Sequence, residues 1–287
     1  MGCEKALSVI IVSYENMEVL SDCLNSIARF NDIGDEAEVI VVEQSRSEGI
    51  YQRLISDYPW VKTIRNKNRG FGAGNNAGAG VANGKLLLFL NPDTILIEPV
   101  FRYAVDIYKN NPMLGMFGFR LLDSIGGKNK SFHFRKPYGI ARSIIWRMCD
   151  AFDIYLPQSM YIAGADMFVP AAAFQAAGGF NESMFMYFEE TYLCVRLNSI
   201  GYRTRYFPQK HIIHLEGRSS STVNTLKRQI ESLRVLYGGN KKEFGDCLRK
   251  MRRDRRVKSF FQKRRLFCLR EIELIESQLS ECCDSNE

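Results

Sequence analysis

Apolar and polar positions follow one another along this chain in blocks that read as strands and helices. The sharpest block is Leu86 to Leu90, five consecutive large apolar residues followed at once by Asn91, Pro92 and Asp93. An unbroken apolar run of that length predicts a strand buried on both faces of a parallel sheet. Pro92 has no N–H to give to a ladder, so the strand should stop there and leave an amide and a carboxylate at its carboxyl end. Leu7 to Val12, apolar apart from Ser8, predicts a first strand ending in Ser13-Tyr14-Glu15-Asn16. Val19, Leu20, Cys23, Leu24 and Ile27 then recur at helical spacing. Glu38 to Val42 predicts a second strand, ending in Glu43-Gln44-Ser45, with a helix around 49–57 behind it. Trp60 to Ile64 predicts a third strand, 98–110 a helix and Met113 to Phe119 a further strand.

Strand and helix in turn at this interval argue for an α/β protein with a parallel sheet and helices on both faces. Right-handed crossovers put the carboxyl ends of such strands on one edge, where open α/β sheets bind ligands. The tips Ser13-Tyr14-Glu15, Glu43-Gln44-Ser45 and Asn91-Pro92-Asp93 should therefore converge.

The second half has a different texture. Residues 126–136 are basic and aromatic with little period, which fits a hairpin or a loop. Tyr161 to Pro170 predicts a single strand carrying Gly164-Ala165-Asp166, and Gly178 to Glu182 a turn. Glu189 to Ile200 reads as a helix, and 202–207 as a short strand before His211 and His214. From about Thr222 the pattern is helical throughout. Leu226, Ile230, Leu233 and Tyr237 make a stripe that Gly238-Gly239 breaks. This divides the chain into 1–221, in halves 1–120 and 121–221, and a helical extension over 222–287.

Composition narrows the class. With 287 residues, 46% apolar and 25% charged, the chain is ordinary for a globular protein. No apolar run approaches the roughly 18 residues that span a bilayer. The N-terminal Met-Gly-Cys-Glu-Lys-Ala lacks the features of a signal peptide, and Ala6 stands where myristoylation needs Ser or Thr. The eight cysteines show neither a CxxC pair nor ligand spacing with the three histidines, which argues against zinc. These features together predict a reducing cytoplasm. The net charge of +7 is concentrated: between Lys241 and Arg270 stand thirteen Lys or Arg against three acids. Such a cluster suits an anionic membrane surface or a solvated helix face. Phe260, Phe261, Leu266 and Phe267 among those bases suit an interfacial helix. Nucleic acid is not expected, because no recognition motif accompanies the charge.

Four stretches can carry chemistry. Gly70-Phe-Gly-Ala-Gly-Asn-Asn-Ala-Gly78 contains Gly72-x-Gly74-x-x-Ala77, a formal dinucleotide fingerprint at the wrong strand. A small-residue helix start that lets a helix lie close to the sheet explains it as well. Asn68, Asn75 and Asn76 offer amide contacts to something polar. Asp93 with Asn91 has the spacing of a hard-cation site that a phosphate ligand would complete, or Asp93 is a cap. Glu189 and Glu190 follow Met184-Phe-Met-Tyr-Phe188 at a helix start. Burial there would raise a carboxylate towards the pKa of a useful base, or the acids simply favour the helix N-terminus. His214, beside two isoleucines, is a ligand candidate or a satisfied core histidine.

In order and spacing these segments resemble glycosyltransferase family 2, in its rhamnosyltransferase-like branch, over roughly residues 6–220. The matching motifs are Val9-Ile-Ile-Val-Ser-Tyr14, Val41-Val-Glu-Gln-Ser45, Asn68-Arg-Gly-Phe-Gly-Ala-Gly-Asn-Asn76 and Leu90-Asn-Pro-Asp-Thr94. They continue with Gly164-Ala165, Gly178-Gly-Phe-Asn-Glu182, Phe185-Met-Tyr-Phe-Glu-Glu190 with Leu193-Cys-x-Arg196, and His214 with Gly217 and Ser219. The resemblance implies a GT-A fold, the nucleotide-diphospho-sugar transferase fold, with a mainly parallel central sheet and a C-terminal helical extension. It implies an inverting transferase in cell-surface polysaccharide synthesis. The donor would be a dTDP- or UDP-linked nucleotide sugar, dTDP-rhamnose first. The acceptor would be a glycan or lipid-linked glycan.

The same resemblance implies a divalent metal, Mg²⁺ or Mn²⁺, held by Asp93, Asn91 and His214. Ser13, Tyr14, Glu15, Glu43, Gln44, Ser45, Asn68, Gly70, Asn75 and Asn76 would hold the nucleotide with Asn91 and Asp93. Gly164, Ala165, Asp166, Tyr187 and Glu189 would face the acceptor, and Glu190 would be the general base. Five positions depart from the family pattern: Glu15 for Asn, Glu43-Gln44 for Asp-Asn, Glu190 for Asp and Tyr192 for a second Asp. A base longer by one methylene shifts the carboxylate by about 1 Å, an error that costs on the order of 10²-fold in rate. The rival readings are a degenerate member that binds a glycan or protein, and a nicotinamide-dependent oxidoreductase built on Gly72-x-Gly74. A homo-oligomer is left open.

Overall fold

The structure is a computed structural model that describes residues 4–135, 140–215, 223–261 and 265–284. Gly217 and Ser219 of the expected closing motif lie outside the described residues, as do the side chains of Phe260, Phe261, Leu266 and Phe267.

The amino-terminal half alternates as its pattern predicts: β1 (Lys5–Ser13), α1 (Met17–Phe30), β2 (Ala37–Glu43), α2 (Gly49–Asp57), β3 (Lys62–Arg65), α3 (Phe71–Gly80) and β4 (Gly84–Leu90). Then come β5 (Thr94–Leu96), α4 (Phe101–Asn110) and β6 (Leu114–Leu122). Eight strands form one sheet in the order β3-β2-β1-β4-β9-β6-β10-β5, where β9 is Asp166–Pro170 and β10 is Arg203–His214. β3, β2, β1 and β4 run parallel, as do β6 and β10. β9 lies antiparallel between β4 and β6, and β5 closes the far edge antiparallel to β10.

The opening strand is buried on both faces. Leu86, Leu88 and Leu90 join one core with α1 and α4. Leu87 and Phe89 join the other, with Ile10, Val42 and Phe174. The alternation of β1 explains its own sidedness, since Val9 and Ile11 face one core and Ile10 and Val12 the other. Asn16 caps α1 by accepting from the Val19 amide at 3.2 Å. The glycines of α3 serve close packing. A side chain on Gly78 would collide with Ile10, and one on Gly74 would stand 2.8 Å from Gln44 Nε2. That is the small-residue reading, not a dinucleotide loop.

The second half departs from expectation in two places. Tyr161 to Pro170 is not one strand. β8 (Met160–Ile162) pairs with β7 (Phe132–Phe134) in a separate two-stranded sheet, and the chain turns through Ala163-Gly164-Ala165 into β9. The segments at 202–207 and 211–214 are one strand, β10, irregular between Phe207 and His211. Pro208, which has no N–H, sits in that irregularity. α5 (Ile140–Ala151) lies between β7 and β8 in sequence, α6 (Ala171–Ala177) follows β9, and α7 (Glu189–Ser199) precedes β10.

Three helices finish the chain: α8 (Val223–Leu236), α9 (Lys241–Phe261) and α10 (Arg265–Asp284). The predicted stripe of α8 is buried: Leu226, Ile230 and Leu233 pack with Phe244, Leu248, Met251 and Ile275. Phe188 and Tyr187, from the loop before α7, are part of the same cluster. The helices therefore hold a loop of the sheet domain.

Candidate active site

The three strand tips meet. Ser13 registers with Glu43, and the Gln44 amide donates to the Ser13 carbonyl at 2.9 Å. Past the tips opens a cleft of about 1200 Å³, lined on this side by Tyr14, Gln44, Ser45, Asn68, Gly70, Asn91 and Asp93. Ser45 organises the loop between the first two tips. Its hydroxyl accepts from the Glu15 amide at 2.6 Å, and its own amide donates to Glu43 Oε1 at 2.8 Å. Glu43 is fully buried and sits beneath the cleft, not in its lining. Glu15, at φ 52°, points to solvent, and the lining residue there is its neighbour Asn16. Among the described residues, Ser13 Oγ and Gln44 Nε2 are buried with no hydrogen-bond partner.

The metal candidates come together on β4, β5 and β10. The antiparallel register of β5 and β10 pairs Thr94 with His214, which carries the imidazole to the β4 tip. His214 Nε2 lies 3.3 Å from Asp93 Oδ1 and 3.4 Å from Asn91 Nδ2. Thr94 Oγ1 donates to the Asn91 carbonyl at 2.7 Å, and the Leu215 amide to the Asp93 carbonyl at 2.9 Å. The tip is thus held from both strands. Among the described residues no three His, Cys, Asp or Glu side chains group as a metal cage. One carboxylate, one imidazole and one carboxamide beside an open cleft fit a hard cation that takes its other oxygens from phosphate and water. His211 plays no part here, because its Nδ1 pairs with Glu98 at 2.9 Å.

The acidic pair stands at the start of α7, just behind Phe185, Met186 and Tyr187, which line the far side of the cleft; neither glutamate is itself in the lining. Tyr187 and Phe188 both hold positive φ, 78° and 68°, which costs on the order of 1–3 kcal/mol each. The surroundings enforce that conformation. The Phe71 amide donates to the Phe185 carbonyl at 3.0 Å, and a Cβ on Gly70 would run into that same carbonyl. From above, Ser232 Oγ donates to the Met186 carbonyl at 2.9 Å, and Arg228 lies over the Phe185 ring at 4.7 Å. Phe185, Tyr187 and Arg228 all line the cleft.

Glu189 is buried and Glu190 half-buried. Burial pushes the Glu190 carboxyl up to about 7. It pushes Glu189 well above the usual carboxylate range, with the Glu190 charge adding to it. The Glu190 carboxyl carbon is 3.8 Å from where a Cβ on Gly164 would stand, so the absent side chain leaves room in front of it. The two walls are joined by backbone: the Asn91 amide donates to the Ala165 carbonyl at 3.0 Å. Gly164 and Ala165 reach this edge because β9 runs antiparallel and begins where β4 ends, Asp166 opposite Leu90.

Three further expected contact residues are turned elsewhere. Asp166 is fully buried, with Oδ2 accepting from the Phe119 amide at 2.7 Å and its pKa raised well above the usual range by burial. Asn75 donates to the Phe71 carbonyl inside α3. Asn76 clasps the Gly178–Glu182 turn, donating to the Phe180 carbonyl and accepting from the Phe180 amide, each at 2.9 Å. These side chains shape the cleft walls without lining them.

Four basic residues that the motifs do not mark also line the cleft: Arg46, Arg65, Lys67 and Arg228. The first three lie at or just past the ends of β2 and β3, and that position is the signal that could have found them. Arg228 comes from α8, over a hundred residues from the tips, and sequence offers no signal for it. In α9, Arg252 and Arg256 pair with Glu276 of α10, Arg255 with Glu271, and Arg249 with Asp246. Those bases are engaged within the helical bundle. Among the described residues no helix is long and apolar enough to cross a membrane.

A family model described as Glycosyl transferase family 2 matches residues 8–165. The chain is 26% identical over 224 residues to rhamnosyltransferase WbbL of Escherichia coli (strain K12), covering 72% of this chain and 82% of that protein. It is 29% identical over 198 residues to a low-salt glycan biosynthesis hexosyltransferase of Haloferax volcanii, covering 66% and 61%. It is 28% identical over 153 residues to the O-antigen biosynthesis protein RfbC of Myxococcus xanthus, covering 50% of this chain and 12% of that one.

Proposed function

Because the chain belongs to glycosyl transferase family 2 and is a glycosyltransferase of GT-A fold, we propose that it works by a single inverting displacement. The sugar leaves a nucleotide diphosphate and joins a hydroxyl of a glycan or lipid-linked glycan. The observation that carries this reading is the pairing of two unlike ends across one cleft. Asp93 and Asn91, with His214 against them, stand on one side, and a burial-raised Glu190 stands behind the Phe185–Tyr187 wall on the other, with one backbone hydrogen bond between Asn91 and Ala165.

Each end has a definite task. Glu190 accepts the proton of the acceptor hydroxyl as that oxygen attacks the anomeric carbon. The carbon–oxygen bond to the diphosphate breaks on the opposite face. A carboxylate whose pKa lies near neutrality is ionised enough to accept a proton and basic enough to keep it. Asp93, Asn91 and His214 would hold Mg²⁺ or Mn²⁺, which when bound neutralises charge on the leaving diphosphate. Tyr14, Gln44, Ser45, Asn68 and Gly70 line the cleft where the nucleotide would sit, and the orphaned Ser13 and Gln44 groups beneath them await polar partners. Open space at Gly164, in front of Glu190, gives the acceptor its place.

For the donor we take dTDP-rhamnose first, from the relative named a rhamnosyltransferase, and a UDP-sugar second. The relative named for O-antigen biosynthesis supports a role in surface polysaccharide synthesis. The test is nucleotide release from dTDP-rhamnose and UDP-sugars, with Mn²⁺ and with chelator. One donor should turn over in a metal-dependent way. A protein that is neither stabilised nor turned over by any of them with Mn²⁺ present contradicts the reading.

A further inference from the structure

One face of α5 is apolar and open. Ile144 is 56% exposed, Met148 57% and Phe152, just beyond the helix, 73%. They recur every four residues, with the exposed Ile145 beside them, so they form one stripe. The other side of α5 is anchored: Trp146 Nε1 donates to the Phe132 carbonyl at 2.8 Å, and Cys149 is buried. Fixing that side is what displays the stripe. The turn between β6 and β7 adds Ile125, 91% exposed. Lys128 ties this turn to the end of α5, donating to the Asp150 and Ala151 carbonyls at 3.3 and 2.9 Å.

The charges around the stripe are mainly basic. Asp150 and Asp153 pair with Arg120, Asp153 also with Lys128, and Asp123 turns inward to the Ile125 and Gly127 amides. Lys130 and Arg147 stand exposed at the rim. Two copies meeting through this face would bring like charges together, whereas an anionic lipid surface satisfies both the stripe and its rim. We propose that α5 and the Ile125 turn seat the protein on the headgroup region of an anionic bilayer. The inference goes beyond the transferase reading, and its test measures no transfer. Its geometry also fits that reading. β8 leaves this platform for Gly164, so a lipid-linked acceptor would arrive beside Glu190.

Flotation of the full chain with phosphatidylcholine vesicles, with and without phosphatidylglycerol, decides the matter. The wild type should float with the anionic vesicles. Ile144→Ser/Met148→Ser/Phe152→Ser should lose roughly tenfold or more of that partitioning. The charge variant Lys130→Glu/Arg147→Glu, which leaves the apolar stripe intact, should lose the preference for anionic lipid. Thermal melting confirms that each variant is folded. The proposal is overturned if the wild type does not float, or if both folded variants float like it. It is also overturned if light scattering shows a dimer that the serine variant disperses.

Discussion

The two sides of the cleft are built by opposite means. On the donor side, Asp93 and His214 sit at strand ends of one sheet, in ordinary backbone, half-buried beside the cleft and held by register. On the acceptor side, Glu190 follows two residues at positive φ, in a loop gripped by Gly70 from below and by α8 from above. The donor side needs only that strands end in the right residues. The acceptor side needs the whole chain, including helices far from the motifs, to hold a half-buried carboxylate in the first turn of α7 behind a strained loop. The difference teaches where each kind of function is stored. In the proposed reading the metal end is set by strand ends and their register, while the base end is a product of tertiary packing.

Substitutions can break or sharpen that contrast. Glu190→Gln removes the proposed proton acceptor and should lower kcat by about 10²–10⁴-fold while donor binding persists. Asp93→Asn should cost several kcal/mol of barrier, roughly 10²-fold or more, and raise the Mn²⁺ needed for half-maximal rate. Gly70→Ala should destabilise the fold by about 1–3 kcal/mol, because the new Cβ meets the Phe185 carbonyl at φ 106°. Its midpoint in thermal melting should fall, and activity with it. Arg228→Ala removes a cation stacked on Phe185 in the cleft, and should raise the donor KM by roughly tenfold with a smaller change in kcat. A donor KM unchanged in that variant would return α8 to a purely structural role.

The smallest effect is on stability. Burial raises both glutamates, so in the pH range above the ordinary carboxylate value the folded protein binds protons more tightly than the unfolded chain. Stability from Glu190 should be greatest below about 4.5 and fall as pH rises towards about 7. Glu189→Gln should flatten that fall in denaturant titrations at several pH values.

This contrast also sets what the sequence could disclose. The donor side was legible because an apolar run followed by Asn-Pro-Asp states both a strand and its end, and parallel topology brings such ends together. The convergence of Ser13, Gln44 and Asn91 followed from that rule alone. The acceptor side was half legible. Glu189 and Glu190 after an aromatic cluster signalled a buried acid, and burial of Phe188 and Glu189 is what the fold delivers. Gly164 was misplaced in a continuous strand, because no local pattern distinguishes one strand from two that turn through Ala-Gly-Ala. Asp166, Asn75 and Asn76 were expected as contacts from the family resemblance, which marks positions and not where a side chain turns. The fold uses them to satisfy buried backbone groups or to clasp a turn. Arg228 could not be seen at all, since only the packing of α8 on the 185–188 loop brings it to the cleft.

The pH dependence of sugar transfer by the wild-type protein, with donor and metal saturating, tests the central claim most directly. With Glu190 as a base raised by burial, the rate should climb with pH and reach half its maximum near 7. A profile that is already flat from the ordinary carboxylate value of about 4.5 upward would contradict it.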